Sequence, residues 1–158
     1  MRVLQKIAIV IFVLAVAGHS SASAQRWIEP ISPIPDRDTK IDFAPASAAL
    51  TDEARTILDR QAKILISHPQ ETAIVYGHAD PYEAGSRQGA WDLGLARAVA
   101  ARAYLVSKGV ASNRLRPDSR GCEFVAIISA PTEASLAQMR FVSTEVVQRP
   151  GHWSNRGY

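Results

Sequence analysis

The chain has 158 residues, with 18 lysines and arginines against 15 aspartates and glutamates. That near balance, without clustered basic residues, leaves no electrostatic footprint for nucleic acid. The one cysteine, Cys122, excludes an internal disulfide framework. At the N-terminus, Arg2 and Lys6 lead into an apolar stretch from Ile7 to Ala17 and then into Ala22-Ser23-Ala24, the pattern of a secretory signal with a small-residue cleavage site. The apolar stretch is shorter than the roughly 20 residues a membrane helix needs. The expectation is therefore a signal peptide over 1–24 and a soluble mature chain from about Gln25, its formal charge reduced from +3 to +1 by the loss of Arg2 and Lys6. An uncleaved N-terminal anchor is the alternative. No cysteine stands just after the apolar stretch, which argues against lipoprotein processing.

Segment 25–38 holds Pro30, Pro33 and Pro35 without apolar periodicity, and reads as a linker or a strap laid on the surface. The folded unit is expected over 39–148, with an irregular tail over 149–158. Ile41 to Phe43 is a short strand candidate. Thr51 offers its hydroxyl as the N-cap of a helix, with Asp52 and Glu53 in the first turn, and Ala54, Ile57, Leu58, Ala62, Leu65 and Ile66 fall on one face. His68-Pro69 stops it. Thr72 to Tyr76 reads as a central strand, apolar on both faces, followed by Gly77. A polar loop from Asp80 to Ala90 precedes a second helix, Trp91 to Lys108, closed by Gly109. Leu115 to Ser119 and Arg140 to Val147 are the last strands, with an irregular connection holding Pro131 between them. The order β-α-β-α-β-β predicts a two-layer α/β sandwich, a mixed sheet with its helices on one face.

Within that order, Gly77-His78-Ala79-Asp80 ends a strand and Leu93-Gly94-Leu95-Ala96-Arg97-Ala98 lies in the following helix. Tyr104-Leu105, Lys108-Gly109-Val110 and Arg114-Leu115 come after, while Phe43, Ser47 and Leu50 stand upstream. This ordered set closely resembles the OmpA-like C-terminal domain family, which includes the peptidoglycan-associated lipoproteins and the flagellar stator's periplasmic domain. The resemblance covers roughly Ile41 to Val147. It implies a non-catalytic module of the cell envelope that binds peptidoglycan through the diaminopimelate of the stem peptide. It also implies a periplasmic location, peripheral to the outer membrane, with an outer-membrane or periplasmic protein as a further partner and no cofactor.

The free end of diaminopimelate carries an ammonium and a carboxylate on one carbon, so its receptor needs a fixed anion beside a fixed planar cation. Asp80 and Arg97 fit those roles, since a guanidinium grips a carboxylate with two parallel hydrogen bonds. His78, Asp92 and Arg140 complete the candidate set. The N-terminus of the second helix, expected near Trp91, adds backbone N–H groups for the ligand carboxylate. The bland alternatives are that Asp80 caps a turn ahead of Pro81 and that Arg97 pairs with Asp80 or Asp92 on the surface. His78 has no neighbouring histidine for a metal, Cys122 has no base, and Trp91, Trp27 and Trp153 read as packing or as stacking platforms.

Three departures from the family pattern stand out. The loop between Asp80 and Arg97 is about two residues longer than the commonest version, Ala90 stands where an asparagine is usual, and Phe141 replaces the second arginine of an Asn-Arg-Arg sequence. Ala90 and Phe141 favour the alternative reading, an envelope scaffold protein of the same fold that no longer binds peptidoglycan.

Overall fold

The computed structural model describes residues 32–123 and 132–147. The expected signal peptide, the first half of the proline-rich segment (25–31), Trp27, Pro131, Trp153 and the tail all lie outside the described residues.

The elements follow the order β1 (Lys40–Asp42), α1 (Asp52–Ser67), β2 (Thr72–His78), α2 (Pro81–Ala84), α3 (Arg87–Ser107), β3 (Leu115–Gly121), α4 (Glu133–Ala137) and β4 (Phe141–Val147). They form a four-stranded sheet in the order β1-β4-β2-β3. β2 and β3 are parallel, joined through α3, and β4 runs antiparallel to both β1 and β2. The mixed α/β sandwich expected from the sequence is the observed fold.

Both long helices cover the same face. Thr144 of β4 stands opposite Val75 of β2, and its hydroxyl donates to the Gln61 side chain of α1 at 2.8 Å. Two residues along, Gly77 meets α3: a Cβ there would overlap the carbonyl oxygen of Gly94. A Cβ on Gly94 would in turn lie 2.5 Å from Ser119 Oγ and 2.8 Å from the Gly77 carbonyl oxygen. The glycines of the two motif segments thus let helix and strand touch backbone to backbone, which fixes α3 over the end of β2 where the motif polar residues sit.

α1 begins as the sequence predicts, with Thr51 Oγ1 accepting from the Ala54 amide at 3.1 Å. Its buried residues are Ala54, Leu58, Gln61, Ala62 and Leu65, whereas Ile66 is exposed. These pack with Ile34, Ile41, Ala73, Val75, Ala98, Ala101, Leu105, Val110, Leu115 and Val142 into one core. Ile34 and Asp38 precede the first strand, and both are buried. Asp38 accepts two hydrogen bonds from the Arg60 guanidinium, at 3.0 and 2.8 Å, which hold its carboxyl below the usual range.

Three expectations need correction. The stretch from Asp80 to Ala90 is not a loop: it holds α2 and the first turn of α3, which starts at Arg87 rather than near Trp91. Asp80 caps α2 in a reciprocal box with Glu83, Pro81 occupies the first helical position, Gly85 closes it in the left-handed region at φ 71°, and Ser86 caps α3. The connection before β4 contains the short helix α4, which sequence periodicity did not reveal. Finally, β2 is inner but not covered on both faces: Ile74 and Tyr76 are half-buried on the side away from the helices, with the Arg120 guanidinium 4.1 Å above the Tyr76 ring.

Candidate functional site

At the C-terminal end of β2 the chain turns through Ala79 into Asp80, and four charged side chains converge there away from water. Asp80 and Arg97 are fully buried, and the side chains of Glu83 and Arg140 are 2% and 5% exposed. Two acids and two bases share the space, so the cluster is balanced in charge.

Arg97 lies on the buried face of α3, roughly three turns from its N-cap Ser86. Its guanidinium has five N–H groups, and each has an acceptor. Nε donates to the Ser47 carbonyl at 2.8 Å, Nη1 to the His78 carbonyl at 2.9 Å, and Nη2 to the Ala44 carbonyl at 3.0 Å. The remaining two N–H groups grip the Glu83 carboxylate side by side, at 2.7 and 2.9 Å. Three backbone carbonyls therefore fix the plane of the fork, and one carboxylate fills its open side. The Phe43 ring stands 5.3 Å from the guanidinium carbon.

Glu83 receives two further hydrogen bonds, from the Asp80 amide at 3.0 Å and from the Ala46 amide at 2.7 Å. Ala46 supplies that N–H from a left-handed conformation, φ 51°, which costs a residue with a Cβ on the order of 1 kcal/mol. Asp80 is engaged on both oxygens: one accepts from the Tyr82 and Glu83 amides, both at 2.9 Å, and the other from Arg140 Nε at 2.6 Å. Arg140 also binds Glu133 with both terminal nitrogens, at 2.6 and 3.2 Å. Glu133 first, then Asp80, holds Arg140 firmly protonated, and Arg140 in turn keeps the Glu133 carboxyl below its ordinary range.

Asp80, Arg97 and Arg140 thus share one network, but no direct Asp80 to Arg97 contact joins them: Glu83, which sequence reasoning passed over, stands between. The signal for it was present, because Asp80-Pro81-Tyr82-Glu83 has the spacing of a capping box. His78 takes part through its backbone; its ring stacks on Phe141, centroids 4.1 Å apart and planes at 16°. Burial above all, then the Arg120 and Lys40 charges, lowers the imidazole from 6.5 to about 4. Asp92 lies outside the cluster, exposed on α3, where it accepts from the Gln88 side chain at 3.0 Å. The α3 N-terminus does not face Arg97 either. Trp91 is 39% exposed, and its backbone rests against the end of β3, where its carbonyl accepts from Ser119 Oγ at 2.8 Å. Among the described residues no group of three histidines, cysteines, aspartates or glutamates is arranged to hold a metal ion.

The stretch that builds this cluster is also the stretch that matches known proteins: the model of the OmpA family matches residues 42–136. The chain belongs to the OmpA family. A peptidoglycan-associated lipoprotein of Mesorhizobium japonicum is 46% identical over 84 residues, 53% of this chain and 49% of the relative. Outer membrane protein A of Bordetella avium is 34% identical over 110 residues, 70% of this chain and 54% of that one. Among solved structures, the peptidoglycan-associated lipoprotein of Burkholderia pseudomallei superposes with a TM-score of 0.65 at 28% identity, over 73% of this chain and 99% of the other. The C-terminal domain of Helicobacter pylori MotB superposes with a TM-score of 0.60 at 20% identity, over 69% and 85% of the two chains, which shows a shared fold. The chain spans about half the length of the lipoprotein relatives it matches.

Proposed function

We propose that this OmpA-family domain is a non-catalytic module of the cell envelope that binds peptidoglycan, through the diaminopimelate of the stem peptide, by means of Arg97 and Asp80. The observation that carries the reading is the Arg97 fork. Backbone carbonyls of Ala44, Ser47 and His78 occupy three of its donors and leave two parallel ones aimed at a carboxylate, the donor geometry a planar anion requires. Asp80 accepts on the far side of Glu83, in the place of the anion that an ammonium would seek. The names of the relatives, peptidoglycan-associated lipoproteins, support the same ligand. The basic, apolar and small-residue N-terminus supports export, and with it a place in the periplasm, peripheral to the outer membrane.

A buried network of this kind contributes little net stability compared with apolar packing of equal volume, so its polar geometry is better explained by recognition. Each charge-assisted hydrogen bond to ligand is worth about 1.5–3 kcal/mol; two or three of them give roughly micromolar to millimolar affinity for one stem. A polymeric wall presenting many stems holds a weak module in place.

The second reading, an envelope scaffold without wall binding, is favoured by one observation: Asp80 is buried and engaged by Arg140 and by the amides of α2. Co-sedimentation with purified sacculi of the diaminopimelate type separates the two. Peptidoglycan binding predicts that the chain pellets with the sacculi and is released by excess free stem peptide. A chain that stays in the supernatant at low and moderate salt belongs to the scaffold reading.

A further inference from the structure

The carboxylate that fills the Arg97 fork belongs to the chain itself. Glu83 is gripped as a ligand carboxylate would be, by two parallel guanidinium donors, with the Asp80 and Ala46 amides on its two oxygens. We propose that Glu83 is a built-in occupant of this site and α2 its lid, so that the domain is a gated carboxylate receptor, closed by its own side chain until α2 swings out. The proposal rests on the function proposed above for its physiological ligand, but not for the gate.

Three features of α2 support a lid. The helix has four residues, and none of them is buried as a whole: Tyr82 is 64% exposed, Pro81 and Ala84 are half-buried, and the Glu83 carboxylate reaches inside. No fully buried apolar side chain anchors it to the core, and segments held by few apolar contacts open at low cost. It opens on Pro81, which fixes the entry, and is closed by Gly85 at φ 71°, where a left-handed turn joins it to α3. Its far end also rests directly on the start of α3, since a Cβ on Gly89 would overlap the Ala84 carbonyl oxygen. The exchange is close to like for like. An incoming carboxylate inherits the Arg97 fork and the Asp80 and Ala46 amides as Glu83 leaves them for water. The Arg97 plane does not need rebuilding, because Ser47, His78 and Ala44 hold it throughout. The apparent affinity of a ligand is reduced by the fraction of molecules whose site is open, so removing the internal carboxylate raises it.

The test uses the whole chain, wild type and Glu83→Ala, with acetate as the probe for the emptied fork. Acetate is expected to raise the melting temperature of Glu83→Ala in a saturable manner that equimolar chloride does not reproduce, and to act on the wild type only at about tenfold higher concentration. Binding of Glu83→Ala to sacculi is expected to exceed wild type about tenfold. If Glu83→Ala fails to fold, Gly89→Ala takes its place: the added methyl displaces the end of α2 while Glu83 and Arg97 stay intact, and sacculus binding is again expected to rise. A folded Glu83→Ala indifferent to acetate overturns the gate, as does Gly89→Ala binding no better than a wild type that binds. Acetate rescue with no form of the chain binding sacculi keeps the gate and removes peptidoglycan as its ligand.

Discussion

Every N–H of the Arg97 guanidinium has an acceptor, and that saturation makes the side chain part of the fold as well as part of the site. Truncation to alanine leaves the Glu83 carboxylate buried without its cation, so Arg97→Ala is expected to lose about 3–5 kcal/mol of unfolding free energy, read as a lower denaturant midpoint. A midpoint within experimental error of wild type would show that the pair is not buried in solution. Loss of wall binding in such a variant is informative only beside that midpoint. His78 gives a second prediction at this scale. The unfolded imidazole takes up its proton near pH 6.5 and the folded one only near 4. Its contribution is therefore complete above pH 6.5 and is lost as the pH falls towards 4, up to about 3 kcal/mol. Urea midpoints measured between pH 7 and 4.5 should fall more steeply for wild type than for His78→Gln; equal slopes would contradict the burial of the ring. The strand-end motif marked His78 and Asp80 as candidates, and the motif of the following helix marked Arg97, but the partners these side chains take were not legible. Arg97 was expected beside Asp80 because the two are complementary; Glu83, three residues on, reaches the fork first because the capping box turns it inward.

At the scale of elements, the two motif glycines set the distance between sheet and helix. Gly77→Ala places a methyl in the Gly94 carbonyl oxygen, and neither backbone can yield without moving α3 off the sheet. The expected cost is about 3 kcal/mol or more, visible as a fall in melting temperature. A neutral Gly77→Ala would mean that α3 does not lie in contact with β2. The long, periodic elements were readable: α1 from its cap and apolar face, β2 from its β-branched and aromatic run. The short ones were not. α2 and α4 have no apolar face for periodicity to detect; both are defined by caps, Asp80 with Glu83 and Thr132 with Ser135, and capping pairs in a polar stretch read equally well as loop. The same omission displaced the expected start of α3 and made its N-terminus look like part of the site.

For the whole molecule, the sheet order β1-β4-β2-β3 explains how residues far apart in sequence meet. β4 inserts between β1 and β2, which brings Arg140, just before its first residue, to Asp80 at the end of β2. That insertion is a matter of topology and followed from no local pattern, although Arg140 could be marked by its place in the family resemblance. The two-layer fold thus gathers one cluster at one end of the sheet, and the other sheet face, with Tyr76, His78, Phe141 and Arg120, is covered by neither α1 nor α3. Under the proposed function, ligand recognition belongs to the first of these and not to the second. The most direct measurement is an NMR titration of the isotope-labelled chain with a diaminopimelate-containing stem peptide, following the Arg97 side-chain Nε–H, which the Ser47 carbonyl holds, and the Asp80 and Ala46 amides. Saturable shifts of these three signals are expected, with the amides of β3 and β4 on the open sheet face unmoved. Shifts confined to the open face, or no shift at millimolar peptide, would contradict the assignment of the Arg97 cluster as the binding site.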